Sequence, residues 1–281
     1  TKGHDMKKTA LLFAALAATI LLSGTPVLAC TNLIVGKAAS VDGSVICTYN
    51  CDGFGFAASL SYSAPGRHAE GEMILLRGFG PDAVPHYVKQ APYTYAVVGL
   101  MNENQVSIVE TTWDGRKELH NPDGYLDYFT LMNLALQRST TAREAIAIMD
   151  GLVQEYGYNS TGESFAVCDK NEAWIMELIG KGPGRKGGVW VARRVPDDAI
   201  CAYANSSRIM RFPQAKKVDK KLGFCVVEGE CMYSADVISF AREMGYFSGK
   251  DADFSFREAY GPLDWSAIRY CEARVWSFFR H

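Results

Sequence analysis

Cys30 is the residue of this sequence with the clearest chemical potential. A cleavage after Ala29 would make it the new N-terminus and would place a thiol and a free α-amine on one residue. A thiol needs a base to become a nucleophile, and an α-amine with a pKa of about 7.7–8.0 is suited to accept its proton at neutral pH. A carboxylate or carbonyl must hold that amine, and hydrogen-bond donors must face the oxyanion. Cys30 therefore predicts nucleophilic catalysis from an N-terminal residue.

The residues before Cys30 predict the cleavage that this chemistry requires. A short positive start at residues 6–8 precedes an unbroken apolar run over residues 10–22, and small residues stand at Val27 and Ala29. This is the pattern of a secretory signal peptide. The run is shorter than the about 20 residues that a membrane-spanning helix needs. We therefore expect an exported protein, periplasmic or extracellular.

The chain is predicted to form one folded domain behind that leader. Residues 1–29 form an upstream extension and the signal peptide, and residues 30–281 form a single domain, long enough to bury a large core. The last stretch, residues 265–280, runs on without an evident helix stop. We therefore expect the domain to be incomplete at its C-terminus.

The composition argues against two kinds of site. The sequence has 29 Lys and Arg against 31 Asp and Glu and no long basic run, which argues against a nucleic-acid partner. The spacing of its 8 cysteines does not match a zinc site, and no His stands at a matching interval. We therefore predict neither a metal nor a cofactor. Export permits disulfides, and Cys225 with Cys231, which flank a Gly-containing stretch, is the pair that we expect first.

The elements that must hold Cys30 are predicted to be strands. Residues 31–46 alternate in polarity around an Asp42-Gly43 turn, which is typical of a tight hairpin, and Cys30 opens its first strand. Further strands are predicted at 73–76, 93–100, 106–111, 165–168, 173–178, 189–192 and 200–203.

Helical periodicity appears between and after these strand groups. Apolar residues recur at intervals of three and four over 125–138 and 142–156, and a third helix is predicted over 235–244. Thr141 with Glu144 makes a capping box for the second helix. Strands, then a helix pair, then more strands predict an α+β fold with antiparallel sheets and helices packed outside them.

The start of the predicted domain resembles a known enzyme family. Residues 30–44 (CTNLIVGKAASVDGS) are similar to the mature start of the dipeptidase A-like cysteine dipeptidases. These belong with the penicillin V acylases and bile salt hydrolases among the N-terminal nucleophile hydrolases. The resemblance covers essentially all of residues 30–281, and these dipeptidases continue well beyond a point like His281. It implies an αββα sandwich of two antiparallel sheets between helix layers, and amide hydrolysis by Cys30 through a thioester.

The resemblance also implies roles for residues downstream. Asp52 falls where the family places an aspartate that holds the α-amine of the nucleophile. Tyr49 stands where many relatives have arginine, which leaves the charge around the thiol open. Asn205 resembles the asparagine whose side-chain amide completes the oxyanion hole. Thr111 and Thr112 end a strand that looks like the one lending a backbone donor to the oxyanion.

A late arginine is the last residue implied in this way. Arg269 could match the arginine near the thiol in the acylase branch, and Arg274 is its rival. With these residues the resemblance implies a secreted cysteine dipeptidase that hydrolyses small peptides. Cys30 attacks the carbonyl, its own amine carries the proton, and water resolves the thioester.

Two alternatives stay open from the sequence. One is an amidase of the bile salt hydrolase or penicillin V acylase type, which shares the site and differs in the acyl pocket. The other is a non-catalytic surface lipoprotein, because a Cys directly after a signal peptide is also where bacterial lipoproteins are acylated. A membrane partner is expected only if Cys30 carries lipid. A homo-oligomer is also left open.

Overall fold

The computed structural model describes residues 29–52, 59–77, 84–265 and 267–280. Residues 1–28, on which the signal-peptide prediction depends, lie outside this part. The strands, numbered along the chain, are β1 (Ala29–Val35), β2 (Ile46–Asp52), β3 (Tyr62–Ser63), β4 (Gly66–Arg67), β5 (Met73–Leu76), β6 (His86–Lys89), β7 (Tyr93–Thr94), β8 (Val97–Val98), β9 (Met101–Asn102), β10 (Ser107–Trp113), β11 (Gly162–Cys168), β12 (Ala173–Gly180), β13 (Gly188–Val195), β14 (Ile200–Ala204), β15 (Cys225–Val227) and β16 (Cys231–Tyr233).

The helices lie between and after these strands. They are α1 (Tyr128–Arg138), α2 (Ala142–Tyr156), α3 (Val237–Glu243), α4 (Phe256–Tyr260) and α5 (Ala273–Arg280), with 3-10 turns at Lys117–Leu119 and Asp251–Asp253 and a π-helix at Ala267–Glu272. The expected α+β class with large antiparallel sheets is confirmed. None of the described helices combines the length and apolar character that crossing a bilayer requires.

The three-stranded sheet carries Cys30 on its central strand. Its order is β14-β1-β2, and both pairings are antiparallel. The tight hairpin expected at Asp42-Gly43 is wrong, because β1 and β2 are joined by a long loop over residues 36–45. The loop leaves the sheet at Gly36, whose N–H bonds the Ala199 carbonyl at 2.9 Å. A Cβ on Gly36 would lie 2.5 Å from the Asp197 carbonyl oxygen, so only glycine fits this approach.

The larger sheet has nine strands in the order β15-β16-β13-β12-β11-β10-β9-β8-β3. Its centre, β10 to β13, is antiparallel, as predicted for the sheets, and its residues are almost all buried. The single strand predicted over residues 93–100 is wrong, since β7 pairs with β4 and only β8 joins the large sheet. Between them the N–H of Tyr95 bonds the Gln137 carbonyl, and that of Ala96 bonds the Glu103 side chain.

Helices α1 and α2 cover one face of the large sheet. Their apolar sides pack with Phe165, Trp174 and Met176 in one core cluster. Helix α1 begins three residues later than predicted, because the Asp127 carboxylate caps it by accepting from the Thr130 N–H at 2.7 Å. Helix α2 has the predicted bounds.

The opposite face of the large sheet packs against the three-stranded sheet and against α3 and α4. Ile34 and Tyr203 of the small sheet share this second core cluster with Ile175, Val191 and Phe240. Helix α5 and the π-helix lie on the outer side of the small sheet, where a third cluster joins residues of β14 with two of the helical segment (Ala202, Ala204, Cys271 and Val275). The layers therefore follow in the order α1 and α2, the nine-stranded sheet, the three-stranded sheet, and α5 with the π-helix.

Candidate active site

Strand β1 directs Cys30 into a large cavity. Residues alternate along the strand, so that Cys30, Asn32 and Ile34 are buried while their neighbours are half-exposed. The cavity has a volume of about 1260 Å³, and Cys30 is 5% exposed. Its polar lining includes Cys30, Tyr49, Cys51, Glu110, Asn205 and Arg274.

The side chain of Asn205 joins Cys30 to the large sheet. The Cys30 N–H donates to Asn205 Oδ1 at 2.8 Å, and Asn205 Nδ2 donates to the Thr112 carbonyl at 2.6 Å. Arg274 donates from Nη2 to the same Oδ1 at 2.8 Å, and from Nη1 to the Cys30 carbonyl at 2.6 Å and Thr31 Oγ1 at 2.7 Å. The backbone nitrogen of Cys30 is therefore held by a fixed acceptor beside a cation.

The free edge of β10 also carries a backbone N–H donor, that of Thr112, on the side that faces Asn205. Among the described residues, β10 pairs with β9 only at Ser107. The Ile108 N–H points away from β11, towards the Leu100 carbonyl. Successive strand residues alternate in direction, so Thr112 points its N–H and C=O to the side of Ile108. Thr111 points its N–H towards β11. Of the two predicted backbone donors, Thr112 is thus the one that faces Asn205.

A buried carboxylate fixes the loop that carries Asn205. Glu177 on β12 accepts hydrogen bonds from Ser207 Oγ at 2.5 Å, from Ser164 Oγ at 3.3 Å and from the N–H groups of Arg208 and Ile209. Burial raises the pKa of Glu177, and the donors act against that rise. This network pins residues 207–209 directly after the asparagine.

A second clamp ties the same loop to the π-helix. Glu272 accepts from Ser206 Oγ at 2.7 Å and forms an ion pair with Arg208. The π-helix leads directly into α5, which carries Arg274. Both residues that contact the Cys30 backbone are therefore positioned by one connected set of hydrogen bonds.

A pair of buried carboxylates lies beside the thiol. Glu110 on β10 is 2% exposed and Glu163 on β11 is fully buried. Tyr49 OH donates to Glu110 Oε1 at 2.5 Å, and Thr112 Oγ1 donates to Glu163 Oε2 at 3.1 Å. Among the described residues no donor from outside the pair reaches Glu110 Oε2 or Glu163 Oε1, and the two carboxyl groups contact each other. Burial, with the charge of Glu110 beside it, holds the pKa of Glu163 well above its usual range.

The thiol of Cys30 lies in surroundings that oppose its ionisation. Burial raises its pKa most, and the nearby Glu110, Cys51 and Glu163 side chains add to the rise. The thiol therefore stays neutral at rest, and attack on a carbonyl needs a base that takes the proton as the bond forms.

The structure does not bring every predicted residue to the thiol. Asp52 pairs across the strands with Ala29, next to the Cys30 nitrogen, but its side chain is exposed on the other face of the sheet and accepts from Asn50 Nδ2. Its role in holding the amine stays a prediction. Thr111 is buried and is not among the residues that line the cavity.

The late arginine at the thiol is Arg274, the rival named from the sequence. Arg269 is exposed and stacks over Tyr270 at 5.4 Å. Cys271 and Val275 are the buried positions of this helical segment, and Arg274 lies on their side of it. The π-helix spanning Arg269 adds residues to the turn, a feature that an arginine's position in the sequence does not reveal.

The eight cysteines lie in the described part of the chain. All eight cysteines are free. The expected Cys225–Cys231 bond is not formed, because Cys225 lies opposite Tyr233 and Cys231 opposite Val227. Within the described residues, no group of three or more His, Cys, Asp or Glu side chains is placed to hold a metal ion.

Four residues near the site were missed by reasoning from the sequence, namely Cys51, Glu110, Glu163 and Glu177. For the three carboxylates a signal existed. Each lies in or beside a run whose other residues are apolar and buried, where an ionisable side chain demands a reason.

Comparisons with known proteins place the chain in a peptidase family. The model of peptidase family C69 matches residues 29–62 and 81–281. A probable dipeptidase of Salmonella dublin is 27% identical over 94% of this chain and 60% of its own length. A probable dipeptidase of Latilactobacillus sakei is 24% identical over 88% and 52%, and a dipeptidase of Bifidobacterium longum is 25% identical over 89% and 50%. The chain thus spans little more than half the length of these relatives.

Proposed function

Because this chain belongs to peptidase family C69, we propose that it is a cysteine dipeptidase whose nucleophile is Cys30. The observation that carries the proposal is the hydrogen bond from the Cys30 nitrogen to Asn205 Oδ1 at 2.8 Å, on a residue whose thiol lines the cavity. Cleavage after Ala29 would turn that nitrogen into an α-amine in the same place. Thiol and base would then share one residue.

In the proposed reaction the Cys30 sulfur attacks the peptide carbonyl carbon while the α-amine takes the thiol proton. The resulting oxyanion lies between the Thr112 N–H and the second hydrogen of Asn205 Nδ2, since an amide nitrogen carries two hydrogens and only one binds the Thr112 carbonyl. The protonated amine then gives its proton to the leaving amine, and a thioester remains. Water hydrolyses the thioester, with the α-amine again as the base.

Arg274 is a positioning residue in this proposal. It binds the Cys30 carbonyl and the Asn205 oxygen at the same time. Its charge lies close to the place where the oxyanion develops, which favours the transition state over the neutral substrate.

We further propose that the domain is the αββα sandwich of the N-terminal nucleophile hydrolases, and that the protein is exported. The order of layers supports the first point, with α1 and α2 on one side of the two sheets and α5 on the other. The apolar run and small residues before Cys30 support the second.

The volume of the cavity is also compatible with the amidase alternative. At about 1260 Å³ it exceeds the about 300–1,000 Å³ of most small-molecule sites, so a bulky acyl group of the amidase type would also fit. The lipoprotein alternative gains no such support, since a lipid on the Cys30 thiol would have to leave a buried position.

Hydrolysis assays separate these substrate classes. The protein beginning at Cys30 would be given a set of dipeptides, a conjugated bile acid and penicillin V, each beside the Cys30→Ala variant. We expect dipeptides to be cleaved with the highest kcat/KM and the variant to cleave none of them. Preferential cleavage of the bile acid or of penicillin V would replace the dipeptidase proposal with the amidase alternative.

A further inference from the structure

Glu110 and Glu163, the buried carboxylate pair beside Cys30, form no ion pair with a cationic side chain of the described residues. A buried carboxylate without a positive partner is costly, and such groups are normally paired. Among the described residues neither Glu110 nor Glu163 takes part in an ion pair, and no donor from outside the pair reaches Glu110 Oε2 or Glu163 Oε1. Arg274, a cation of the same cavity, is committed to the Cys30 carbonyl and Asn205.

Of the two carboxylates, Glu110 is the one that faces the cavity. It lines the cavity wall, while Glu163 lies behind it in the adjacent strand and is held neutral by its raised pKa. Tyr49 OH fixes one oxygen of Glu110, and among the described residues the neutral Glu163 is the other side chain that hydrogen-bonds this carboxylate. Glu110 is thus the carboxylate that a cationic group entering the cavity would meet beside the nucleophile.

We propose that Glu110 binds the α-ammonium group of the substrate, and that the enzyme therefore selects peptides with a free N-terminus; this inference depends on the proposed function. In a dipeptide the ammonium nitrogen is separated from the scissile carbonyl by one Cα. When that carbonyl lies against the Cys30 sulfur, the ammonium must lie within a few ångströms of the thiol. Glu110 is the carboxylate whose charge acts most strongly on this thiol.

Substrate binding then changes the nucleophile. The charge of Glu110 opposes ionisation of the Cys30 thiol, and a bound ammonium group neutralises that charge. The barrier to proton transfer from the thiol falls only when a correctly placed substrate is present. An N-acylated peptide lacks this charge and loses both the contact and the activation.

Binding and hydrolysis test the inference together. Calorimetry on the chain that begins at residue 30 and carries Cys30→Ala, which has no nucleophile, would compare L-alanyl-L-alanine with N-acetyl-L-alanyl-L-alanine. A charge-assisted hydrogen bond corresponds to about a 10–100-fold preference for the free amine. The added change Glu110→Gln should bring the two affinities within about threefold. Asp114→Asn, which removes an exposed carboxylate of the same cavity, is the matched control and should keep the preference.

The outcomes separate this inference from the proposed function. Equal affinity of Cys30→Ala for both peptides, or a preference that survives Glu110→Gln, overturns the ammonium site even if the wild type hydrolyses dipeptides. A preference that Glu110→Gln abolishes supports the site even if the wild type hydrolyses neither peptide, and in that case the proposed function fails alone. The first comparison needs no change at Glu110, so it stands whatever that substitution does to folding.

A separate observation concerns the two thiols at the site. Cys30 and Cys51 lie directly opposite each other on β1 and β2. The Cys30 N–H and C=O bind Asn205 and Arg274, away from β2, whereas the Leu33 N–H points towards β2 at Thr48. Cys30 and Cys51 therefore form a narrow, non-hydrogen-bonded pair, in which the Cα atoms lie about 4.5 Å apart. That separation falls within the range of about 4.4–6.8 Å seen in disulfides.

From this geometry we infer that Cys51 is a resolving thiol for Cys30. In the chain that begins at Cys30, the α-amine takes the thiol proton, the sulfur attacks hydrogen peroxide to give a sulfenic acid, and the released hydroxide takes that proton and leaves as water. The Cys51 sulfur then attacks the sulfenic sulfur, a second water leaves, and an S–S bond joins the strands. Two thiols have lost two electrons to one peroxide, and a dithiol reductant restores them. The bond protects the nucleophile from further oxidation.

Mass spectrometry tests this second inference without an activity assay. After a brief peroxide treatment, wild type should lose two hydrogens, give a Cys30–Cys51 linked peptide, and recover two free thiols with dithiothreitol. Cys51→Ser should instead gain oxygen on Cys30 irreversibly, while Cys47→Ser, changed elsewhere on β2, should behave as wild type. Sulfinic acid on Cys30 of the wild type, with no linked peptide, would overturn the inference.

Discussion

Two buried carboxylate sites on the large sheet differ in how far their oxygens are satisfied. Glu177 points to the face that packs on the three-stranded sheet and accepts from four donors. Glu110 and Glu163 point to the opposite face, and Glu110 meets the cavity where it extends past the edge of β10 to α1. Among the described residues no donor from outside the pair reaches the second oxygen of either carboxyl group. All three side chains are nearly or fully buried.

The difference separates two uses of a buried charge. A saturated carboxylate stabilises what it binds, and Glu177 accordingly fixes the loop after Asn205. An unsaturated one is unfavourable for stability and is retained where a ligand completes it. By this comparison Glu177 has a structural role in the loop after Asn205, whereas Glu110 has the proposed role of binding the substrate ammonium group.

The largest expected change in the free energy of unfolding comes from removing the Glu177 carboxylate. Glu177→Ala leaves the Ser207 hydroxyl and the N–H groups of Arg208 and Ile209 without an acceptor. Each orphaned buried donor costs about 1–3 kcal/mol, so we expect a loss of about 3–5 kcal/mol in the free energy of unfolding. Urea denaturation measures it. A loss below about 1 kcal/mol would mean that water replaces the carboxylate and that the loop does not depend on it.

The next effect is a pH dependence from Glu163. Its pKa is raised in the folded state, so the folded protein holds a proton that the unfolded chain releases. This contribution is fully present below the unfolded pKa, near 4.5, and is lost as the pH rises towards the folded value. We expect stability to fall by up to about 1.4 kcal/mol per pH unit in that window. Glu163→Gln should flatten the curve of unfolding midpoint against pH, and unchanged slopes in both proteins would contradict this.

Glu110→Gln should act in the opposite direction from Glu177→Ala. It removes one of two adjacent buried carboxylates and keeps an oxygen for the Tyr49 hydroxyl. We expect the free energy of unfolding at neutral pH to stay equal or to rise by up to about 1 kcal/mol. The melting temperature in matched buffers measures this. A clear loss of stability would show that Glu110 is as well satisfied as Glu177, and the contrast between the two sites would disappear.

The smallest expected change in the free energy of unfolding comes from removing one of the four donors to Glu177. Ser207→Ala removes one donor and leaves Glu177 with three, so we expect a loss of about 1 kcal/mol. Ser239→Ala is the control, because that hydroxyl is exposed and should change stability by less than about 0.5 kcal/mol. Equal effects of the two substitutions in urea would remove the distinction.

Local signals in the sequence were sufficient for part of this structure. Helix α2 has its predicted bounds because Thr141 caps its start and Gly157, with φ of 78°, ends it. The central strands were predicted because burial on both faces leaves continuous apolar runs. Cys30 was singled out because the residues before it resemble a signal peptide, and the structure places it in the wall of the cavity.

The rest depends on contacts between distant segments. Nothing local to Glu110 and Glu163 shows that they are diagonal neighbours, since that follows from the pairing of Thr112 with Glu163. The long β1–β2 loop follows from Gly36 meeting Asp197, and the choice of Arg274 over Arg269 follows from a π-helix. Strand register and the π-helix are set by contacts between segments that lie far apart in the sequence. A pattern within one segment therefore does not predict them.

The most direct test of the proposal as a whole is the state of Cys30 in the secreted protein. Intact mass and N-terminal sequencing would be measured before and after iodoacetamide, with dipeptide hydrolysis by wild type and Cys30→Ser under reducing conditions. We predict a chain that begins at unmodified Cys30, is labelled there, and loses hydrolysis both on labelling and in Cys30→Ser. A lipid on Cys30, a mature start elsewhere, or undiminished hydrolysis by Cys30→Ser would contradict the N-terminal nucleophile.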